Sequence, residues 1–223
     1  MEEDQSFIHR NIQLVMAPYF IGIDIGTQGA RVVLLDSNGT VLSASAKVFA
    51  LDEQSREEQS PDLWWTACLA CFKELTDAVR EKLDFNDIVS MAVTSTSGTV
   101  IPMDNNNVPL HNALMYSDKR SVEQAEKCTV AALKYHHSGF TGFNTSSALA
   151  KMVWFGDAYP DKVVKIHKWI HAADYITGML TGIWGVTDYT NAFKTGYDVH
   201  NYEWPEYLFT HLPLKKEWLP EVF

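Results

Sequence analysis

Tyr19-Phe-Ile-Gly-Ile-Asp-Ile-Gly26, followed at once by Thr27-Gln-Gly29 and the apolar run Ala30 to Leu35, is the stretch that decides how this chain folds. It is mostly apolar and ends on glycine, as a strand buried on both faces reads. The next turn, Asp36-Ser-Asn-Gly39, carries Asn-Gly, the dipeptide most tolerant of positive φ at both central positions of a type I′ hairpin. Thr40 to Val48 then reads as a third strand. A dinucleotide-binding fold or a P-loop fold would place a helix directly after the first strand. Here a hairpin comes instead, so the chain opens as a three-stranded antiparallel meander.

Downstream, Trp64, Cys68, Cys71, Phe72, Leu75, Ala78, Val79 and Leu83 recur at helical spacing. They predict a helix from Pro61 to about Leu83, with Ser60 as N-cap and Pro61 at the first helical position. Ile88 to Thr94 reads as a strand, Ser95 to Gly98 as a tight turn, and Thr99 to Met103 as the continuation of that strand. Further helices are expected over Ser121 to Tyr135 and Ser146 to Phe155, with a loop through Gly139 to Asn144. From Lys165 short strands and helices mix. Meander, helix and strand together predict an α/β fold with a ribonuclease H-like core, its mixed sheet flanked by helices.

The 223 residues are 46% hydrophobic and 12% aromatic, enough for a buried core and too much for a disordered or collagen-like chain. A formal net charge of -10, with no basic patch in the sequence, argues against a nucleic-acid partner. Three cysteines, an odd number, do not suggest a disulfide framework, and a reducing cytoplasm is the expected setting. Residues 1–18 form an extension without the apolar run of a signal peptide or membrane span, so no membrane role is expected.

Three segments carry chemistry. In Gly22-Ile-Asp-Ile-Gly-Thr-Gln-Gly29 an aspartate ends a buried strand just before glycines whose backbone N–H groups can approach phosphate oxygens. A carboxylate about 4 Å from a triphosphate costs on the order of 4 kcal/mol at an effective dielectric near 20, so Asp24 there implies a bridging cation or a hydroxyl partner. Magnesium-bound nucleotide meets that need; the alternative is a strand-end Asp24 capping its turn with Thr27. Arg31 either neutralises phosphate or faces water from its strand.

The second segment, Val93-Thr-Ser-Thr-Ser-Gly-Thr99, offers hydroxyls and free backbone donors suited to a polyhydroxylated ligand, or is an ordinary Ser-Gly turn. In the third, Leu114-Met-Tyr-Ser-Asp-Lys-Arg120, Asp118 is either a helix N-cap or a strand-end acceptor for a sugar diol. The histidines, His136-His137 included, lack metal-ligand spacing. Asn38-Gly-Thr40 and Asn144-Thr-Ser146 match the glycosylation sequon and read as chance in a cytoplasmic chain.

Together these residues resemble the N-terminal domain of the FGGY carbohydrate kinases, the family of glycerol kinase, xylulokinase and ribulokinase. Phe20 to Thr27 resembles the opening phosphate loop, and Thr94 to Thr99 the sugar-contacting loop. Ala148-Leu-Ala-Lys-Met-Val-Trp154 is similar to a family helix that opens on a small-residue pair and Lys. Ala173-Asp-Tyr-Ile-Thr-Gly-Met-Leu-Thr-Gly182 is similar to the Asp-Tyr…Leu-Thr-Gly signature. Thr96-Ser-Gly-Thr99, Asn144-Thr-Ser-Ser147 and Asp188 to Tyr197 look most like the xylulose-kinase-like subgroup of plants and cyanobacteria, which phosphorylates D-ribulose. True xylulokinases usually carry Met-His-Gly where this chain has Thr96-Ser97-Gly98.

The resemblance implies the actin-like ATPase fold over 19–223, with ATP and Mg2+ as cofactors and a sugar as the other small-molecule partner. Asp24 and Thr27 would face magnesium, directly or through water, and the γ-phosphate, with Gly26, Gln28 and Arg31 beside them. Thr96, Ser97 and Gly98 would contact the sugar, with Asp118 a further candidate. The family's catalytic base is an aspartate in a Gly-rich segment expected beyond Phe223; Asp188 and Asp198 match no such segment. On this reading the chain is a sugar-side half-site without base or nucleotide domain, inactive alone, and a homodimer is conceivable for a full-length enzyme. A non-catalytic sugar-binding or regulatory protein is the alternative. Other actin-like ATPases need neither the Asp174 to Gly182 signature nor a hydroxyl-rich loop.

Overall fold

The computed structural model describes residues 18–50, 52–135 and 142–223; all of the N-terminal extension except Pro18, the His136-His137 pair and the first part of the loop after Gly139 lie outside them. The chain opens with β1 (Tyr19–Gly26), β2 (Gly29–Leu35) and β3 (Val41–Val48), paired antiparallel in sequence. The hairpin between β2 and β3 forms as expected, but its turn is not type I′. Only Gly39 has positive φ, +80°, while Asp36 Oδ1 accepts from the N–H groups of Asn38 and Thr40 at 2.8 Å each. A side chain that satisfies the turn's donors makes a second left-handed residue unnecessary.

Next come α1 (Glu53–Glu57) and β4 (Glu58–Gln59), neither of which the sequence announces, and then α2 (Pro61–Val79). The expected stripe is present: Trp64, Cys68, Cys71 and Leu75 are buried against Ile21, Ile23, Ile25, Ala30, Val32 and Leu34 of the sheet. Burying such side chains contributes about 2 kcal/mol each. The helix starts at Pro61 without the expected Ser60 side-chain cap; the Ser60 carbonyl instead accepts from the N–H groups of Leu63 and Trp64. Strand β5 (Ile88–Ser95) returns parallel to β1, giving the order β3-β2-β1-β5.

The segment after Gly98 departs from expectation. Instead of continuing β5, β6 (Val100–Met103) enters a second sheet of order β4-β7-β6-β8, with β7 at Ala113–Leu114 and β8 at Lys168–His171. This sheet is the middle layer. Ile101, Met103 and Ile170 face the first core, while Val100, Leu114 and Trp169 face a second core. A strand buried on both faces reads as a continuous apolar run, so the sequence could not tell continuation from departure. The second core is built on α3 (Val122–Leu133) and α4 (Ala148–Ala158). After α5 (Pro160–Val163), α6 (Ala172–Thr181) packs beside α2 in the first core. The remaining elements are β9 (Val186–Thr187), α7 (Tyr189–Lys194), α8 (Tyr207–Thr210) and β10 (Glu221–Val222).

One side of the first sheet stays bare among the described residues. There Gly22, Val33, Ala44, Ala46 and Val48 form an apolar surface, with Val48 86% exposed, and β5 is an edge strand carrying exposed Val89 and Met91. Among the same residues no helix is long and apolar enough to cross a membrane.

Candidate active site

The antiparallel register sets Asp24 directly opposite Arg31, and residues opposite each other share a face. Their side chains form an ion pair, Arg31 Nη1 to Asp24 Oδ2 at 2.9 Å, with the carboxylate 42% exposed. The hairpin tip is tied down from two directions. Phe49 N–H donates to the Gln28 carbonyl at 2.9 Å, and Gln59 Nε2 donates to the Thr27 carbonyl at 2.9 Å. Gly29 is required, because a Cβ there would lie 2.2 Å from the Lys47 carbonyl oxygen.

Beside this tip lies a cavity of about 360 Å³, with Gly26, Thr27, Gln28 and Arg31 on one wall. Arg56, Tyr116 and Ser117 form the other. The five residues expected on the nucleotide side, Asp24, Gly26, Thr27, Gln28 and Arg31, are thus neighbours at one hairpin.

The hydroxyl-rich loop sits on the far side of Tyr116. Thr99 Oγ1 accepts the Tyr116 N–H at 3.1 Å and lies 3.1 Å from Thr96 Oγ1. Gly98, at φ +85°, passes beneath the Ser146 carbonyl so closely that a Cβ would meet that oxygen at 2.2 Å. The loops 96–99 and 144–147 therefore form one unit, and Tyr116 joins it to the cavity.

Asp118 is placed elsewhere. It is 1% exposed, and its carboxylate accepts from Arg120 Nε at 3.0 Å, Nη2 at 2.8 Å and the Arg120 N–H at 2.9 Å. Arg120 also reaches Glu58 at 2.8 Å and stacks on Trp154 with its carbon 4.2 Å from the ring centroid. Asp118 caps no helix, and its buried carboxylate is bound by Arg120 inside the protein rather than open to a diol, holding β4 near α4.

The other acids are also engaged. Asp188 caps α7 by accepting from Asn191 N–H at 2.9 Å, and Asp198 accepts from the N–H groups of His200 and Asn201. Asp174 pairs with the ring of His171 at 2.8 Å and accepts from Thr187 Oγ1 at 3.0 Å. Gly182 ends α6 in the left-handed region at φ +74°, so the Asp174 to Gly182 motif builds the fold.

Lys151 is fully buried; its Nζ donates to the Thr145 carbonyl at 2.5 Å and so fixes the loop that overlies Gly98. Burial pulls its pKa down to about 8, with Asp118 opposing and Lys194 assisting. The unfolded chain, near the ordinary 10.5, then holds the proton more tightly between about pH 8 and 10.5. This group's contribution to stability therefore rises with pH through that window. The stability difference between wild type and Lys151→Met, from urea unfolding, is expected to move in favour of wild type by about 2 kcal/mol between about pH 7.5 and 9.5.

Comparisons with known proteins identify the family and the fold. The sequence profile of the FGGY family of carbohydrate kinases, N-terminal domain, matches residues 19–223. The chain belongs to that family. A xylulose kinase of Haemophilus influenzae is 29% identical over 206 residues, 86% of this chain and 41% of that protein. A gluconokinase of Bacillus licheniformis is 28% identical over 185 residues, 81% of this chain and 35% of that protein. Among solved structures, a xyloylose kinase from Brucella ovis superimposes with a TM-score of 0.82 at 22% identity, over 92% of this chain and 42% of that one. The fold is therefore the actin-like one of the FGGY kinases, and the chain spans about two fifths of the length of these relatives. Within the FGGY domain, the sequence reading missed Arg56, Gln59, Tyr116 and Ser117. The run Arg56-Glu-Glu-Gln-Ser-Pro61 carries the signal, polar residues packed tightly before a Pro-initiated helix, but only the fold turns it toward the hairpin.

Proposed function

We propose that this domain provides the sugar side and the phosphate-binding hairpin of a kinase that transfers the γ-phosphate of ATP to a hydroxyl of a ketopentose-type sugar, D-ribulose or D-xylulose. The observation that carries this reading is the junction at Tyr116, which lines the hairpin cavity and packs against Gly98 of the hydroxyl-rich loop. Phosphoryl transfer is mostly positioning and charge neutralisation, so donor and acceptor sites must adjoin. Thr27 and the hairpin N–H groups would hold the phosphates, with Arg31 alongside. Thr96, Ser97 and Gly98 would hold the sugar.

Asp24 fits a magnesium ion held partly through water. It is a half-exposed carboxylate with Oδ2 on Arg31 and Oδ1 unengaged, beside a turn suited to phosphate. Mg2+ is commonly bound by one or two carboxylates together with substrate phosphates. Bound there it would offset charge between Asp24 and the nucleotide. The three free cysteines are all buried, which suits a reducing cytoplasm.

The test is a screen of the kinase bearing this domain against ketoses, aldoses, aldonates and glycerol, with ATP and Mg2+. D-Ribulose or D-xylulose is expected to give a kcat/KM at least about tenfold above the others. Preference for glycerol, gluconate or a hexose would overturn the ketopentose assignment.

A further inference from the structure

We propose that Arg56 is a second cation of the hairpin cavity and binds the terminal phosphate oxygens of the nucleotide. The inference rests on the reading of that cavity as the phosphate site.

Charge is the first argument. Arg31 is already engaged by Asp24 at 2.9 Å, so the pair brings almost no net positive charge to a ligand carrying several negative ones. Arg56, on the opposite wall, has no acidic partner within salt-bridge distance, and its guanidinium makes no hydrogen bond among the described residues. In a chain of net charge -10, an arginine left unpaired at the mouth of a phosphate cavity is the group that can accept an anion.

The second argument is that its backbone is fixed to both walls. The Ser55 carbonyl accepts from Gln59 Nε2 at 3.0 Å, and the same amide group donates to the Thr27 carbonyl at 2.9 Å. The Arg56 carbonyl accepts from Ser117 Oγ at 2.5 Å, and the Glu57 carbonyl accepts from Met115 N–H at 2.9 Å. Gln59 is 5% exposed, and its oxygen accepts from the Trp64 indole at 2.9 Å, so the amide has one orientation. Three successive carbonyls, those of Ser55, Arg56 and Glu57, are thus tied to the hairpin tip or to the Met115–Ser117 wall. A solvated surface arginine has no need of such anchoring. Position completes the case: Arg56 lines the same cavity as Thr27 and Tyr116.

Titration calorimetry of the 223-residue chain with inorganic tripolyphosphate at low salt is the test. Arg56→Gln is expected to weaken binding by about tenfold or more, and Arg56→Lys to recover part of the loss, because Lys keeps the charge without the planar fork. The Arg56 side chain is exposed and its guanidinium makes no hydrogen bond or ion pair among the described residues, so the thermal midpoint of Arg56→Gln should not move. Lys73→Gln, on the outer side of α2 and paired with Asp77, is the control expected to bind normally. If Thr27→Ala and Arg31→Gln weaken binding while Arg56→Gln does not, the inference about Arg56 is wrong and the cavity reading stands. If tripolyphosphate fails to bind, or none of the three substitutions matters, the cavity reading and this inference fall together.

Discussion

Sugar-dependent ADP release from the isolated 223-residue chain is expected to equal the background rate. The acceptor hydroxyl needs a carboxylate within reach to take its proton, and such a base contributes about 10²–10⁴-fold. The acids weighed for that role are engaged elsewhere. Asp118 is consumed by Arg120, Asp188 and Asp198 by their own turns, and Asp174 by His171 and Thr187. Asp24 lies at the β1–β2 hairpin, engaged by Arg31. A coupled pyruvate kinase and lactate dehydrogenase assay, run with a ketose panel, reads this directly. Turnover within about tenfold of a typical kinase rate, on the order of 1–100 s⁻¹, would show that one of these acids is freed and acts as the base.

Gly98→Ala is expected to destabilise the domain by about 3 kcal/mol and to abolish sugar binding. The substitution puts a Cβ at φ +85° and 2.2 Å from the Ser146 carbonyl, so backbone strain adds to a backbone clash. Neither Gly98 nor Ser146 can yield cheaply. The Thr96–Thr99 hydroxyls fix one side, and Lys151, through the Thr145 carbonyl, fixes the other. Urea unfolding and sugar titration measure the two effects; an unchanged midpoint would show that the two loops are not packed together. Gly39→Ala also changes a positive-φ glycine but meets nothing within 4 Å, so it isolates the strain from the clash.

What could be read in advance followed from local rules. The apolar run before Gly26, the Asn-Gly turn and the helical stripe from Trp64 to Leu75 each state one element, and each element is found, although the first strand is buried on one face rather than on both. The grouping of Asp24, Thr27 and Arg31 at one hairpin was legible for the same reason, since they sit within eight residues of one another along the chain. Asp118 was not. Its role is decided by Glu58, about sixty residues away, and by Trp154, which deliver the arginine that takes its charge. Arg56 was missed likewise: a cation on a five-residue helix has no periodic signature, and its place depends on Gln59 reaching across to Thr27. The direction taken by β6 was hidden because Val100 to Met103 is apolar on both faces, and only the turn at Gly98 separates the two sheets.

The edge strand β5 has a practical consequence. Its eight residues, Ile88-Val-Ser-Met-Ala-Val-Thr-Ser95, contain no charge and no proline, the two features with which sheets usually guard an open edge. Its one irregularity is the register shift at Val89 near the strand's start, so most of its outer row of N–H and C=O groups is offered with no lysine to turn a neighbour away. Protein concentration, more than temperature, will therefore govern how long this chain stays clear in a test tube, and a single lysine at the exposed Val89 is the least intrusive way to lengthen that time.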